Sequence, residues 1–367
     1  VLASLAQGKF SVFARLPIPL GGPNLGALGR SRTAVDVYTR WLTGLLNPHS
    51  MKIYVGVERL TPAHHQRLLE TLSRHQVVFA DHLPSDAARQ QAVAEADIVF
   101  GNIALAWLQA APGLRWLQLD SAGIGRYPEI NDQRDQNPAL LSNLSDFYGR
   151  AVAETILAGI LAHYRGLGPL IRAQAERHWI KDELEERIGL VHGSRVLVLG
   201  WGAIGQGIAK LLRAFSCEVI GFARTAPSAA LHTLDELDAA LPSADIVITS
   251  LPQTSATTML FDRSRLARCA PHALFVNAGR GSVVDEQALI EALDENRLGG
   301  AFLDVTQEEP LPTNHPLWNH PKVILSQHSG GRFPRETDGK VDAFLKNFAR
   351  FEQGQPLVGA VDSAKGY

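Results

Sequence analysis

The chain has 367 residues, 46% hydrophobic and 20% charged, with a formal net charge of -2; it is long enough for more than one core, and it lacks the basic excess of a nucleic-acid binder. Cys217 and Cys269 are its only cysteines, and neither belongs to a CxxC or Cys/His cluster, so the sequence points to no disulfide framework, to no metal site and to a reducing, cytoplasmic compartment. No uncharged apolar run reaches the roughly 18–20 residues of a membrane span, since even AVAETILAGILAHYRGLGPLI is broken by Glu154 and Arg165.

Residues 1–50 carry Lys9, Arg15, Arg30, Arg32 and Arg40 against a single acid, Asp36, around the loop-like LPIPLGGPNLGALGR. An organelle-targeting peptide has that composition. The preferred reading is sequence upstream of the true start, because Met51 opens a strand, MKIYVGV, and the segment is set apart from the fold.

From Met51 short β-rich runs alternate with helical ones, the pattern of βαβ units and a mainly parallel sheet. The first series has strands at KIYVGV, VVF, DIVFG, RWLQL and ALLSN, with helices at PAHHQRLLETLSRH and SDAARQQAVAEA. A long helix is expected from Ala151. A second series then gives RVLVLG, CEVIGFA, DIVITS, ALFVNA, GGAFLDV and KVILS. The final helical run, RETDGKVDAFLKNFARFEQG, is placed to return over the first series.

Within RVLVLGWGAIGQGIAKLLRAF, Gly200, Gly202 and Gly205 follow a strand and open a helix at Ala203 and Ile204, the setting that a dinucleotide-binding turn requires. Gly200 permits the tight turn, Gly202 allows close approach of a pyrophosphate, and Gly205 allows helix and sheet to pack. The helix N-terminus supplies the anion site. Where an NAD-type turn has an acid near the tip of the second strand, Ala223 stands, followed by Arg224 and Thr225. A guanidinium and a hydroxyl there suit a 2′-phosphate, which predicts a preference for NADP(H). NAD(H) is the alternative if Arg224 is only a solvated surface charge.

Three later segments, LFVNAGRGSVVDEQALIEAL, GGAFLDVTQEEPLPTNHPLW and VILSQHSGG, together with LRWLQLDSAGIGRY, AVAETILAGILAHYRGL and LPQTSATTML, resemble the D-isomer-specific 2-hydroxyacid dehydrogenase family from about Met51 to Tyr367. The resemblance implies two doubly wound α/β domains. One is a Rossmann dinucleotide-binding domain over 151–325; the other is a flavodoxin-like substrate domain built from 51–150 with 326–367. It also implies an active site in the cleft between them, a homodimer formed around the helix after Ala151, and a small 2-keto or 2-hydroxy acid of the glyoxylate or hydroxypyruvate type.

By the same resemblance Arg280 binds the substrate carboxylate, His328 is the acid/base and Glu309 its acidic partner, with Glu308 the rival for that place. The chemistry is consistent, because histidine changes charge near neutral pH, a carboxylate orients its ring, and an arginine fork grips a carboxylate. Asp304 resembles the residue at the nicotinamide carboxamide, or is a turn cap. Leu251, Pro252, Thr257, Ala278 and Gly330 are expected along the cofactor groove. Phe100, Gly101, Asn102, Ser121 and Gly123 are expected to face the substrate, or to be ordinary turns. One departure is Gln327, where the family commonly has proline. Two other functions stay open: a dinucleotide-sensing corepressor-like binding protein, and an NAD-linked dehydrogenase of a bulkier hydroxy acid.

Overall fold

The computed structural model describes residues 50–125, 127, 138–185 and 188–361. The extension read over 1–50, as sequence upstream of the true start, lies outside the described residues but for Ser50, as does the tail 362–367 of the segment 326–367.

The chain order begins β1 (Lys52–Val55), α1 (Pro62–Thr71), β2 (Gln76–Phe79), α2 (Asp86–Ala94), β3 (Ile98–Phe100), α3 (Leu105–Gln109), β4 (Trp116–Gln118) and β5 (Leu140–Ser142). These strands form one parallel sheet in the order β2-β1-β3-β4-β5. Its strands read as unbroken apolar runs because both faces are covered. Ile53, Val55, Ile98, Phe100 and Trp116 face one core, while Tyr54, Val99, Leu117 and Leu141 face the other. Proline at the first helical position and the Thr61 hydroxyl, which accepts from His64 N–H, start α1.

The order continues α4 (Ser145–Tyr164), α5 (Leu167–Glu176), β6 (Arg195–Leu199), α6 (Ala203–Arg213), β7 (Glu218–Phe222), α7 (Leu234–Ala240), β8 (Ile246–Thr249), α8 (Arg263–Leu266), β9 (Leu274–Asn277), α9 (Glu286–Asp294), β10 (Gly300–Leu303), β11 (Val323–Leu325) and α10 (Glu336–Glu352). The second sheet is parallel in the order β11-β10-β9-β8-β6-β7. Beyond β7 it continues as a single parallel bridge between Phe222 and Leu231. Strand order reverses between β6 and β8, and in open α/β sheets ligands bind in the crevice at such a reversal.

Two helices position the site. α4 starts at Ser145 rather than Ala151, because Asn143 Oδ1 accepts the Ser145 N–H at 3.1 Å and turns the chain one segment earlier. It lies against α6 through small residues: a Cβ on Gly207 would sit 3.2 Å from the Gly149 carbonyl oxygen and 3.3 Å from Ala153 Cβ. α10 crosses back onto the first sheet, where the Phe344 ring stacks on Phe100 with centroids 4.3 Å apart and on Trp116 at 5.4 Å. Buried Asn347 anchors it, donating to Gln118 Oε1 at 2.8 Å and to the Val358 carbonyl at 2.9 Å.

Candidate active site

A cavity of about 660 Å³ opens at the carboxyl ends of β6 and β8. Gly200, Gly202, Ala203, Ile204, Arg224, Thr225, Leu251, Pro252, Thr257 and Ala278 all line it. The glycines differ in task. Gly200 has φ +95°, and a Cβ there would meet Ser250 Oγ at 2.7 Å. Gly205 packs against the Gly200 carbonyl behind the groove. At Gly202 a Cβ would meet nothing within 4 Å, and α6 starts there without a side-chain cap, so its first amides look into open space. These residues fit the pyrophosphate of a dinucleotide.

Thr257 spends its hydroxyl on the loop itself, donating to the Pro252 carbonyl at 2.6 Å and accepting Thr254 N–H at 2.8 Å. Arg224 stands exposed on the rim just past β7. Sequence reasoning passed over Trp201, Asn143, Asp146 and Ser250, which also line the cavity. Ser250, the residue after β8, donates to the Leu199 and Gly200 carbonyls at 3.2 Å and ties the two crevice strands together; its place at a strand end beside the reversal was the available signal.

At the far end Arg280 lines the cavity. Its Nη1 donates to the Gly279 carbonyl at 2.6 Å, and its guanidinium lies so close over Gly123 that a Cβ there would overlap Nη2. Arg280 follows β9 and Gly123 follows β4, so the contact joins the two sheets' loops across the cleft. Burial lowers the Arg280 pKa from the ordinary arginine value, with Glu309 acting in the opposite sense. A guanidinium keeps its charge under such pressure.

His328 Nδ1 pairs with Glu309 Oε2 at 2.6 Å. The other carboxylate oxygen, Oε1, accepts Thr306 N–H at 3.1 Å, while Thr306 Oγ1 donates to the carbonyl of Glu308. Glu309, not Glu308, therefore meets the histidine. The loop that carries Glu309 is braced by a residue the motifs did not mark: buried Glu286 accepts the Gln307 N–H, and burial pushes its carboxyl pKa up, with that amide and His315 opposing.

Asp304 and Gly330 sit outside the cavity lining and face each other. Asp304, 5% exposed, accepts Ser326 Oγ at 2.6 Å and Gly330 N–H at 3.0 Å on one oxygen, and its carbonyl accepts His328 N–H. It acts as the cap of the turn that carries His328. Gln327 and His328 are both left-handed, at φ 53° and 54°. Proline, locked near -65°, has no access to that conformation, so this loop could not carry proline at 327.

The first-domain loops divide. Phe100 is corrected: its side chain is 0% exposed and stacked on Phe344, because it ends β3 on the same face as Ile98. Gly101, at φ +131°, is pressed on Gly56 and Val57, and its N–H bonds the Gln118 carbonyl at 2.9 Å. Asn102 is exposed and accepts from Ser121 Oγ at 3.4 Å; Ser121 Oγ also donates to the Gly123 carbonyl at 3.0 Å. Of these five residues, Gly123 is the one that lines the cavity.

Residues 157–330 match the family described as D-isomer specific 2-hydroxyacid dehydrogenase, NAD binding domain. The chain is 33% identical over 237 residues to glyoxylate/hydroxypyruvate reductase B of Pectobacterium carotovorum subsp. carotovorum (strain PC1), covering 63% of this chain and 73% of that protein. The fold is similar to a D-isomer specific 2-hydroxyacid dehydrogenase family protein from Aeromonas salmonicida subsp. salmonicida A449, with a TM-score of 0.72 and 31% identity over 86% of this chain and 100% of that one. It is equally similar, with a TM-score of 0.72 and 27% identity over 87% of this chain and 100% of that one, to a D-isomer specific 2-hydroxyacid dehydrogenase from Xanthobacter autotrophicus Py2 in complex with NADPH and MES. A two-domain α/β protein with a glycine-turn crevice thus has solved relatives over most of its length. The chain belongs to the D-isomer-specific 2-hydroxyacid dehydrogenase family, and it carries that family's NAD-binding domain.

Proposed function

We propose that the protein reduces a small 2-keto acid of the glyoxylate or hydroxypyruvate type to the D-2-hydroxy acid, with NADPH preferred over NADH. The observation that carries this reading is the His328–Glu309 pair at 2.6 Å, with Arg280, which feels the Glu309 charge, leaning on Gly123 across the cleft. When bound, the dinucleotide supplies the hydride that goes to C2 of the keto acid. Arg280 holds the substrate carboxylate and, with its permanent charge, polarises the neighbouring keto oxygen. Because Glu309 occupies Nδ1, the His328 ring presents Nε2 to the keto oxygen and gives it a proton as the C–H bond forms. Glu309 keeps the ring oriented through transfer, and solvent returns the proton to the exposed imidazole.

The exposed Arg224 on the groove rim supports the 2′-phosphate reading, since charge-assisted contacts from a guanidinium suit a phosphate. Relatives named glyoxylate/hydroxypyruvate reductase support the substrate class. Leu167 and Ile171, one helical turn apart on α5, are exposed, as are Trp179 and Leu190 further along the chain, which supports a homodimer that covers this region. The assignment of 51–150 with 326–367 to one domain is supported by α10, whose Phe344 and Phe351 pack on Trp116.

The test is a steady-state panel of glyoxylate, hydroxypyruvate and pyruvate with each nicotinamide cofactor, followed by loss of absorbance at the reduced nicotinamide band. Turnover of a two- or three-carbon keto acid, faster per molar with NADPH, is expected. Tight cofactor binding with no turnover of any keto acid overturns the enzyme reading in favour of a dinucleotide sensor. Equal kcat/KM with NADH overturns the cofactor preference alone.

A further inference from the structure

Outside the cleft, at the carboxyl end of edge strand β2, the fold gathers His65, Asp81 and His82 with one donor atom from each within 4.8 Å of the others. His65 comes from α1, while Asp81 and His82 come from the single helical turn that follows β2. None of the three lines the dinucleotide cavity. Among the described residues this is the one group of three such side chains close enough to share an ion.

The state of His65 is the informative detail. Its Nε2 is shut off from solvent and has no hydrogen bond. Asp81 Oδ2 nevertheless lies 3.2 Å away, close but at an angle that makes no hydrogen bond. Two ligands about 2.1 Å from a tetrahedral ion sit about 3.4 Å apart, so the 3.2 Å between these two atoms is compatible with a shared ion. The His65 and His82 rings meet edge to face with centroids 4.8 Å apart, and Phe79 packs against both, at 4.3 Å from His65 and 5.4 Å from His82. A solvent-shielded imidazole nitrogen whose near neighbour is a carboxylate oxygen in poor hydrogen-bond geometry is costly, and a cation between the two would satisfy both.

We propose that His65, Asp81 and His82 bind one divalent transition-metal ion, of which Zn2+ is the best fit, with solvent in the remaining position. Two imidazoles and one carboxylate suit borderline ions such as Zn2+, Co2+ or Ni2+, whereas Mg2+ and Ca2+ prefer a shell of oxygens. The ion would pin α1 to the edge strand, a structural role separate from the reduction proposed above. The sequence reading expected no metal; the cluster escaped it because the fold, not a short motif, brings His65 to the Asp81–His82 pair.

The test is equilibrium dialysis and calorimetric titration of the untagged, chelator-treated full chain with Zn2+ alone, beside thermal melts at increasing Zn2+. One ion per chain and a Tm that climbs with the logarithm of free Zn2+ are expected. His82→Ala and Asp81→Asn, both at exposed positions, should lower the Zn2+ affinity at least tenfold and flatten the Tm response, while keto-acid turnover stays at the wild-type rate. Mg2+ should leave the melts unchanged. Absence of stoichiometric Zn2+ binding, or His82→Ala binding as tightly as the wild type, overturns the proposal, and neither result bears on the cleft.

Discussion

Gly123→Ala tests the cleft without touching a group proposed to do chemistry. A Cβ at Gly123 would lie 2.8 Å from Arg280 Cζ and overlap Nη2, whereas non-bonded carbons settle at about 3.5–4.0 Å. The guanidinium must move by roughly an ångström. Because the displaced group is the end of a flexible side chain and Gly123 is half-exposed, folding stability should change by no more than about 0.5 kcal/mol. Substrate binding has no such freedom. Charge-assisted hydrogen bonds contribute about 1.5–3 kcal/mol, which is a loss of about tenfold to 150-fold in kcat/KM for the keto acid at about 1.4 kcal/mol per decade. The assay is keto-acid kinetics at saturating NADPH, with NADPH affinity by fluorescence titration and Tm as companions. Gly113→Ala is the control, since its added methyl meets nothing within 4 Å and it lies away from the cavity. A Gly123→Ala kcat/KM within about twofold of wild type would refute the claim that Arg280 grips substrate from its seat on that loop.

His328→Ala should keep NADPH affinity and lose about 10²–10⁴ in kcat; near-normal turnover in rapid-mixing and steady-state assays removes it as proton donor. Arg224→Ala should lower kcat/KM with NADPH by about tenfold or more and leave NADH kinetics unchanged, and a parallel loss with both cofactors would make Arg224 a structural residue. Phe344→Ala removes the ring stacked on Phe100 and Trp116 and should cost about 3–5 kcal/mol in denaturant unfolding; a loss below about 1 kcal/mol would mean α10 is not part of that core. The Glu336 carboxyl is pushed up by burial, but the Tyr148 hydroxyl at 2.7 Å and Lys340 at 3.0 Å outweigh this and leave it below its ordinary pKa. A depressed folded pKa stabilises above the unfolded value of about 4.3 and is lost as pH falls through the folded one. Glu336→Gln should therefore show a shallower fall of Tm on acidification, and an unchanged slope in pH-resolved melts sinks the argument.

The eleven strands among the described residues were legible because both sheets are covered on both faces, which turns each strand into a short apolar run bounded by polar or glycine residues. The glycine turn was legible for a local reason as well: backbone freedom at Gly200 and contact at Gly205 are needed within a few residues of each other. Phe100 shows the opposite case. Motif matching placed it at the substrate, but period-two alternation along β3 sets it with Ile98 against α10. The start of α4 was missed because the deciding hydrogen bond comes from Asn143, two residues outside the helix, and no Ser, Thr or Asp side chain caps it.

Asp304 explains why the pose of His328 was out of reach. Its partners Ser326 and Gly330 lie 22 and 26 residues further along the chain, so no window around either end contains the interaction. Consecutive left-handed residues at 327 and 328 cost about 1–3 kcal/mol each, and such backbone persists only where its surroundings over-determine it. Here the surroundings are a buried carboxylate that takes Ser326 Oγ and Gly330 N–H on one side of the turn, and a carbonyl that takes His328 N–H in its middle. The histidine is thus aimed by β10 as much as by its own loop. With the turn held this way, Glu309 needs only to meet Nδ1 to leave Nε2 as the ring nitrogen free to carry the proposed proton transfer.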